Sequence, residues 1–259
     1  MSWSKRPSVS FDRAAGYYDA TRSLTPEAAA QVTGVLAEAV IGHGPVLEIG
    51  VGTGRIALPL AEVGLDVVGI DLSLPMLRAM TDKGGAVPVG QADCTQLPFP
   101  DDAFGGVIAS HVFHLVPEWR DATLEALRVL RPDGALLWAR GGLGARSQDV
   151  AVVFAKAAGI DRTPVGLDQV EGLDAYLRSR GWVGEWLPEV PDDRLMSVDG
   201  LIDLMESGVL GWTWSASDED RARGGAAARA WAVEQPEPSD ERRPIGLGVR
   251  FRRYVALPR

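Results

Sequence analysis

The stretch V-L-E-I-G-V-G-T-G-R, Val46 to Arg55, places an acidic side chain at the end of an apolar run and then three glycines at alternate positions. Glycine has no Cβ and takes positive φ, so Gly50, Gly52 and Gly54 let the chain turn tightly and let a ligand approach the main chain. Glu48 stands at that turn as a fixed acceptor. A second apolar run, V-V-G-I-D, ends in Asp71, about twenty residues on, where a carboxylate can hold ribose hydroxyls in a strand-helix-strand unit. Together these residues favour an adenosine-containing ligand. Farther on, S-H-V-F-H-L-V carries His111 and His114, residue types that exchange protons near neutral pH.

The glycine spacing separates two classes of cofactor. A dinucleotide loop reads G-x-G-x-x-G, its third glycine allowing close helix packing beneath a pyrophosphate. Here Gly50 and Gly52 are followed by Gly54, and Arg55 occupies the place of that third glycine. The pattern misses the nicotinamide type, which leaves an NAD-dependent oxidoreductase as a weaker alternative.

Apolar and polar segments alternate so as to position these residues at strand ends. Thr25-Pro26-Glu27 has the cap and proline of a helix start, predicting a helix over 26–41. Strands are expected at 46–48, 66–71, 87–91, 106–110 and 135–140, with helices at 55–62, 74–81 and 119–130. Such alternation implies parallel strands with right-handed helical crossovers and a ligand at their carboxyl ends. Beyond residue 140, helices are expected at 149–159 and 167–180, and strands at 182–190 and 248–257. The run 235–244 has the proline and charge content of a loop.

The glycine loop with its preceding acid, (D/E)-x-G-x-G-x-G, resembles motif I of the class I S-adenosylmethionine-dependent methyltransferases. F-D-R-A-A-G-Y-Y-D, Phe11 to Asp19, is similar to the opening of their small-molecule "type 11" branch. The Q-A-D-C-T-Q-L-P-F-P-D-D-A-F run and L-R-V-L-R-P-D-G-A-L-L-W, Leu127 to Trp138, resemble its later strands and turn. The likeness spans roughly residues 11 to 140 and then fades.

The resemblance implies an α/β fold: a doubly wound, Rossmann-like sheet of seven strands, the last antiparallel, with helices on both faces. It implies one domain over 1–259, with an N-terminal cap over the cofactor (1–25), a cofactor-binding half (26–140) and a substrate half (141–259). A helical lid is expected at 197–234. It further implies S-adenosyl-L-methionine as cofactor, S-adenosyl-L-homocysteine as product, and methyl transfer to an O, N or C atom of a small organic acceptor. The Gly50 to Gly54 backbone, with Arg55, would face the methionine portion and Asp71 the ribose. Leu72 and Met76 would surround the adenine, with Asp93 and Cys94 at its edge. Ser110 and His111 would line the passage to the methyl group, and Tyr18 would close over the sulfonium.

Each role has a structural counterpart. The glycines could serve only the turn, Asp71 could cap the next helix, and Asp93 could form a turn. His111 and His114 could accept a proton during transfer, or one could pack at the strand end while the other faces solvent. Trp212, Trp214 and Trp231 could line an acceptor pocket or bury area in a core. A noncatalytic cofactor-binding protein and a tRNA- or protein-modifying enzyme remain alternatives to the small-molecule reading.

Composition narrows these choices. Lys and Arg total 26 against 35 Asp and Glu, a formal charge of -9, which argues against a broad nucleic-acid surface. Arg250, Arg252 and Arg253 lie in V-R-F-R-R-Y-V-A-L, whose alternation suggests the polar face of a strand. The single cysteine excludes an internal disulfide, and no metal site is expected. With no apolar run long enough for a secretory signal or a bilayer span, the chain is expected to be cytoplasmic, a monomer or homodimer.

Overall fold

The computed structural model describes residues 8–140, 145–191, 194–244 and 248–257. In chain order the helices are α1 (Tyr18–Arg22), α2 (Pro26–Val40), α3 (Ala57–Glu62), α4 (Leu74–Asp82), α5 (Trp119–Val129), α6 (Ala145–Ala158), α7 (Val170–Arg178), α8 (Val198–Glu206) and α9 (Asp218–Val233). The strands are β1 (Val46–Ile49), β2 (Val67–Asp71), β3 (Val89–Gln91), β4 (Phe104–Ser110), β5 (Leu130–Ala139), β6 (Trp182–Trp186), β7 (Leu195–Met196), β8 (Arg243–Pro244) and β9 (Arg252–Ala256).

Seven strands form one sheet in the order β3-β2-β1-β4-β5-β9-β6. The first five pair in parallel, and β9 inserts antiparallel between β5 and β6. This is the expected sheet. Every residue of β1 is buried, as a central parallel strand covered on both faces requires. On one face Leu47, Ile49 and Leu136 pack with Trp119 and Ala126 of α5 and Leu173 of α7. On the other, Val46, Ile108 and Leu137 meet Leu36 of α2, Leu60 of α3 and Met80 of α4.

The helix starts follow local chemistry. Thr25 accepts from the Ala28 N–H with Pro26 at the first helical position, and Ser73 accepts from the Met76 N–H at the start of α4. Several strand bounds differ from the sequence reading, with β9 beginning at Arg252 rather than at 248, and two of the differences have a clear cause. β5 begins at Leu130, because Leu130 pairs with Phe104 before a register shift, so the R-P-D-G run is an irregularity within the strand. β6 stops at Trp186 and only an isolated Val190–Val249 bridge follows, since Pro188 has no N–H for a ladder.

Helices α6, α8 and α9 make a third core of their own, with Phe154, Ile202, Met205 and Ala228 buried. The expected helical insertion at 197–234 is therefore present, and α6 is bound to it. Two glycines allow that approach. A Cβ on Gly224 would stand 2.9 Å from the Phe154 carbonyl oxygen, and one on Gly225 1.7 Å from Glu206 Oε1. Arg229 pairs with Asp203 and Glu206 to join α9 to α8. At the base of the insertion β7 pairs antiparallel with β8, so part of the expected 235–244 loop is a short strand.

The β9–β6 side of the sheet is held by a partly buried polar knot. Asp174 of α7 accepts from Arg252 at 2.8 and 2.7 Å and from the Tyr254 hydroxyl at 2.7 Å, and Arg253 pairs with Glu185. The arginines of the last strand thus serve the sheet, as their alternation suggested. Removing the acceptor would leave a buried hydroxyl and guanidinium unmet. Asp174→Ala is expected to lower unfolding free energy by about 2 kcal/mol, read from the urea midpoint at unchanged slope.

Candidate functional site

Strand order reverses between β1 and β4, so the loops leaving their carboxyl ends part and open a crevice, the usual ligand position in such sheets. The crevice widens into a cavity of about 1790 Å³ whose wall includes Tyr18, Gly50, Gly52, Arg55, Asp71 and Leu72. Met76, Asp93, Cys94, Ser110, His111 and His114 line it too. A pocket for one drug-sized ligand is roughly 300–1,000 Å³, so this one has room for two.

The two remaining expected residues, Glu48 and Gly54, are absent from that wall. Gly54, at φ 83°, packs against α3 and α4, where an added Cβ would stand 2.9 Å from Leu58 and Met80. Glu48 lies beneath the loop, 3% exposed, and its Oε2 has no hydrogen-bond partner among the described residues. Burial pushes its carboxyl up to about 8 despite a hydrogen bond from the Ala57 backbone and the nearby Arg55 charge.

Asp71 ties the loops together. Its Oδ2 accepts from the Gly52 N–H and its Oδ1 from the Ser73 N–H, both at 2.8 Å. Burial raises its pKa against those bonds. It braces the start of α4 and also lines the cavity. Asp93 likewise forms a turn, its Oδ1 accepting from the Thr95 N–H and hydroxyl at 2.8 Å. Burial pushes the neighbouring Cys94 thiol up to about 12.

The N-terminal segment closes one side. Asp19 accepts from the Thr53 hydroxyl at 2.6 Å and pairs with Lys83 at 2.5 Å, while Lys83 also donates to the Thr53 carbonyl. Asp19, Thr53 and Lys83 had no role assigned from sequence. The signal was the acid closing the F-D-x-x-A-x-x-Y-D run, which lacked a visible partner until folding. Arg55 donates to the Arg22 carbonyl and lies 5.3 Å from the Tyr18 ring centroid.

The insertion closes the other side. Trp212 and Trp214 line the cavity, whereas Trp231 packs on the helical core. Phe11 meets the Trp214 ring at 4.9 Å, Arg13 lies over it at 5.2 Å, and Arg22 donates to the Val209 carbonyl. The N-terminal segment and the insertion therefore touch across the cavity mouth.

His111 adopts φ 58°, uncommon for a residue with a side chain, as its N–H donates to the Ala139 carbonyl at 2.8 Å. Its ring stands 6.4 Å from that of His114. Burial, with Arg55 and other nearby cations, drives His111 down to about 3; burial and Arg140 drive His114 down to about 4. Both rings are neutral at physiological pH.

Residues 47–138 match the model of a family described as a methyltransferase domain. Those residues form a methyltransferase domain. The match takes in β1 through β4 and nearly all of β5, the strands that shape the crevice. A demethylmenaquinone methyltransferase of Renibacterium salmoninarum is 35% identical over 142 residues, 52% of this chain and 60% of that protein. This chain thus spans less than two thirds of that relative's length. Among solved structures, the YcgJ protein of Bacillus subtilis is similar at a TM-score of 0.59 and 19% identity, over 88% of this chain and 99% of that one. The Haemonchus contortus phosphoethanolamine N-methyltransferase 2, in complex with phosphomonomethylethanolamine and S-adenosylhomocysteine, is similar at 0.53 and 17%, over 88% and 52%. The last two likenesses show a shared fold over most of the chain, beyond residue 138 as well. Among the described residues no cluster could hold a metal ion and no helix is long and apolar enough to cross a membrane.

Two titration results are expected. A carboxyl raised from 4.5 to about 8 in the folded state contributes stability below pH 4.5 that is lost as pH rises through 8. Glu48→Gln, which cannot ionise, should therefore gain stability over the parent progressively from pH 5.5 to 8.5 in urea unfolding. Of the three histidines, two, His111 and His114, should keep neutral-ring NMR shifts from pH 7.5 down to 5.

Proposed function

We propose that this chain transfers a methyl group from S-adenosylmethionine to an O, N or C atom of a small organic acceptor. The observation that carries this reading is the convergence of the Gly50–Gly52 main chain, Asp71 and the two histidines on one cavity large enough for cofactor and acceptor together. The residues fit the cofactor. A glycine loop exposes backbone to the cavity, and Asp71 stands where ribose hydroxyls would come.

When bound, the cofactor supplies a methyl group on a cationic sulfur, open to in-line displacement. The chain's own work is positioning, which can account for about 7–11 kcal/mol of barrier reduction when donor and acceptor are held in near-attack geometry. In this reading Leu72 and Met76 flank the adenine, Asp93 and Cys94 its edge, and Arg55 and Tyr18 the methionine end. The Tyr18 ring, already stacked with a cation, suits a sulfonium. Ser110, His111 and His114 line the passage to the acceptor. Their neutral rings can accept a proton, but weakly basic ones do so poorly, so the acceptor atom has to be nucleophilic on arrival.

The N-terminal segment and the insertion, with α6, act as cap and lid that exclude water from the reacting atoms. The acidic balance of the chain favours a small molecule over tRNA. We infer a cytoplasmic location, which suits a chain whose single cysteine forms no internal disulfide. Isothermal titration with S-adenosylhomocysteine is expected to give micromolar binding, with no response to NAD or NADH. Asp71→Ala should weaken that binding ten-fold or more while far-UV circular dichroism stays unchanged. Nicotinamide binding instead would replace this reading with an oxidoreductase.

A further inference from the structure

The charge of the cavity wall runs against that of the chain. Overall, 26 Lys and Arg face 35 Asp and Glu, yet the described wall carries seven Lys or Arg and four Asp. Those four Asp are engaged. Asp71 accepts from two backbone N–H groups, Asp93 from Thr95, and Asp161 from the Thr163 N–H, while Asp168 faces Arg140 at 3.6 Å. S-adenosylmethionine does not balance the surplus. Its carboxylate and ammonium cancel, and its sulfonium adds one more positive charge.

Five of the seven cations fall into two groups, with Arg194 and Arg242 standing before β7 and β8. Arg22 and Arg55 belong with Tyr18 and the glycine loop, where the methionine carboxylate would lie. Arg140, Lys156 and Arg162 come from the end of β5, from α6 and from the segment before α7, beyond the glycine loop and its following helix. Arg162 lies 5.0 Å from the Trp212 ring centroid and donates to Gln148 Oε1 at 3.2 Å, and among the described residues none of its partners is a carboxylate. Burial lowers its pKa, a sign that its charge is poorly compensated. Lys156 has no ion-pair partner among the described residues.

Apolar surface adjoins these cations. Val152 of α6 is 49% exposed although it faces the cavity, and Ile160, Leu204 and Trp212 share that wall. A guanidinium stacked on an indole beside open aliphatic surface suits a ligand with an anionic head and an apolar body.

We propose that the acceptor is an amphiphilic oxyanion, its carboxylate or phosphate held by Arg162 with Lys156 and Arg140, and its apolar body lying against Val152, Ile160 and Trp212. This deepens the methyltransferase reading and rests on it. The anion offsets the wall's surplus and the incoming sulfonium together, so cofactor and acceptor each make the other's binding more favourable.

The test is isothermal titration of the full chain loaded with S-adenosylhomocysteine. The probes are octanoate and 2-naphthoate, octyl and 2-naphthyl phosphate, and the neutral amides octanamide and 2-naphthamide. At least one anion is expected to bind ten-fold or more tightly than its amide, and the carboxylate and phosphate arms show which oxyanion is preferred. The gap should fall below three-fold in Arg162→Gln and return in Arg162→Lys, with S-adenosylhomocysteine affinity the same in both as the check on folding. Lys156→Gln, at an exposed position on α6, should narrow the gap in the same direction. Amides that bind as well as the anions, anions that do not bind, or a gap that survives Arg162→Gln would overturn the proposal. Failure of the parent chain to bind S-adenosylhomocysteine would instead overturn the cofactor reading, and the anion series run on the unloaded chain would still separate the two.

Discussion

The carboxylate of Asp71, bonded to the N–H groups of Gly52 and Ser73, is the constraint on which the site depends. It stands at the end of β2 and reaches across to the loop after β1, so two crossover connections are held at one point. Parallel pairing of β1 with both β2 and β4 brings the strand ends level. The loop would otherwise be a free, glycine-rich turn with a large entropy of ordering. Held by Asp71 on one side and by Asp19 through Thr53 on the other, it presents a preformed backbone surface. Preorganisation of this kind lets binding energy go into orienting a ligand rather than ordering the chain.

Around that point the molecule is built as a rigid sheet with less uniform surroundings. The two sheet faces are filled by helices with large buried side chains, while the third core, of α6, α8 and α9, packs only on itself. Its link to the N-terminal segment is a small set of contacts: Phe11 and Arg13 on Trp214, and Arg22 on the Val209 carbonyl. The Trp214 indole nitrogen is buried there without a partner, which weakens this seam relative to the cores it joins. A seam of low local stability at a cavity mouth is where opening costs least.

Electrostatics divide the site in the same way. Beneath the loop an acid is held nearly neutral, and in the passage two imidazoles are stripped of charge beside the arginines of the wall. Burial is the leading cause for the acid and both imidazoles, and the cationic wall reinforces it for the histidines. Such a chamber favours chemistry in which the protein neither donates nor takes up much charge, and in which the ligands bring it.

The sequence alone determined the sheet, the glycine loop, the Asp71 position and the chemistry they suit, because these depend on short-range patterns: apolar period, glycine spacing and the acids at strand ends. It also made the helical insertion and the bracing arginines of the last strand legible. It did not show that Glu48 and Gly54 sit behind the cavity wall rather than on it, since facing within a tight loop follows from the φ values and packing of Leu58 and Met80. Nor did it show that Asp19 locks onto Thr53 and Lys83, that α6 joins the insertion, or that seven cations gather on one wall from segments spread along an acidic chain. Those facts belong to the tertiary structure, because they are contacts between residues far apart in sequence, and no local propensity encodes which distant side chains a fold will bring to one wall.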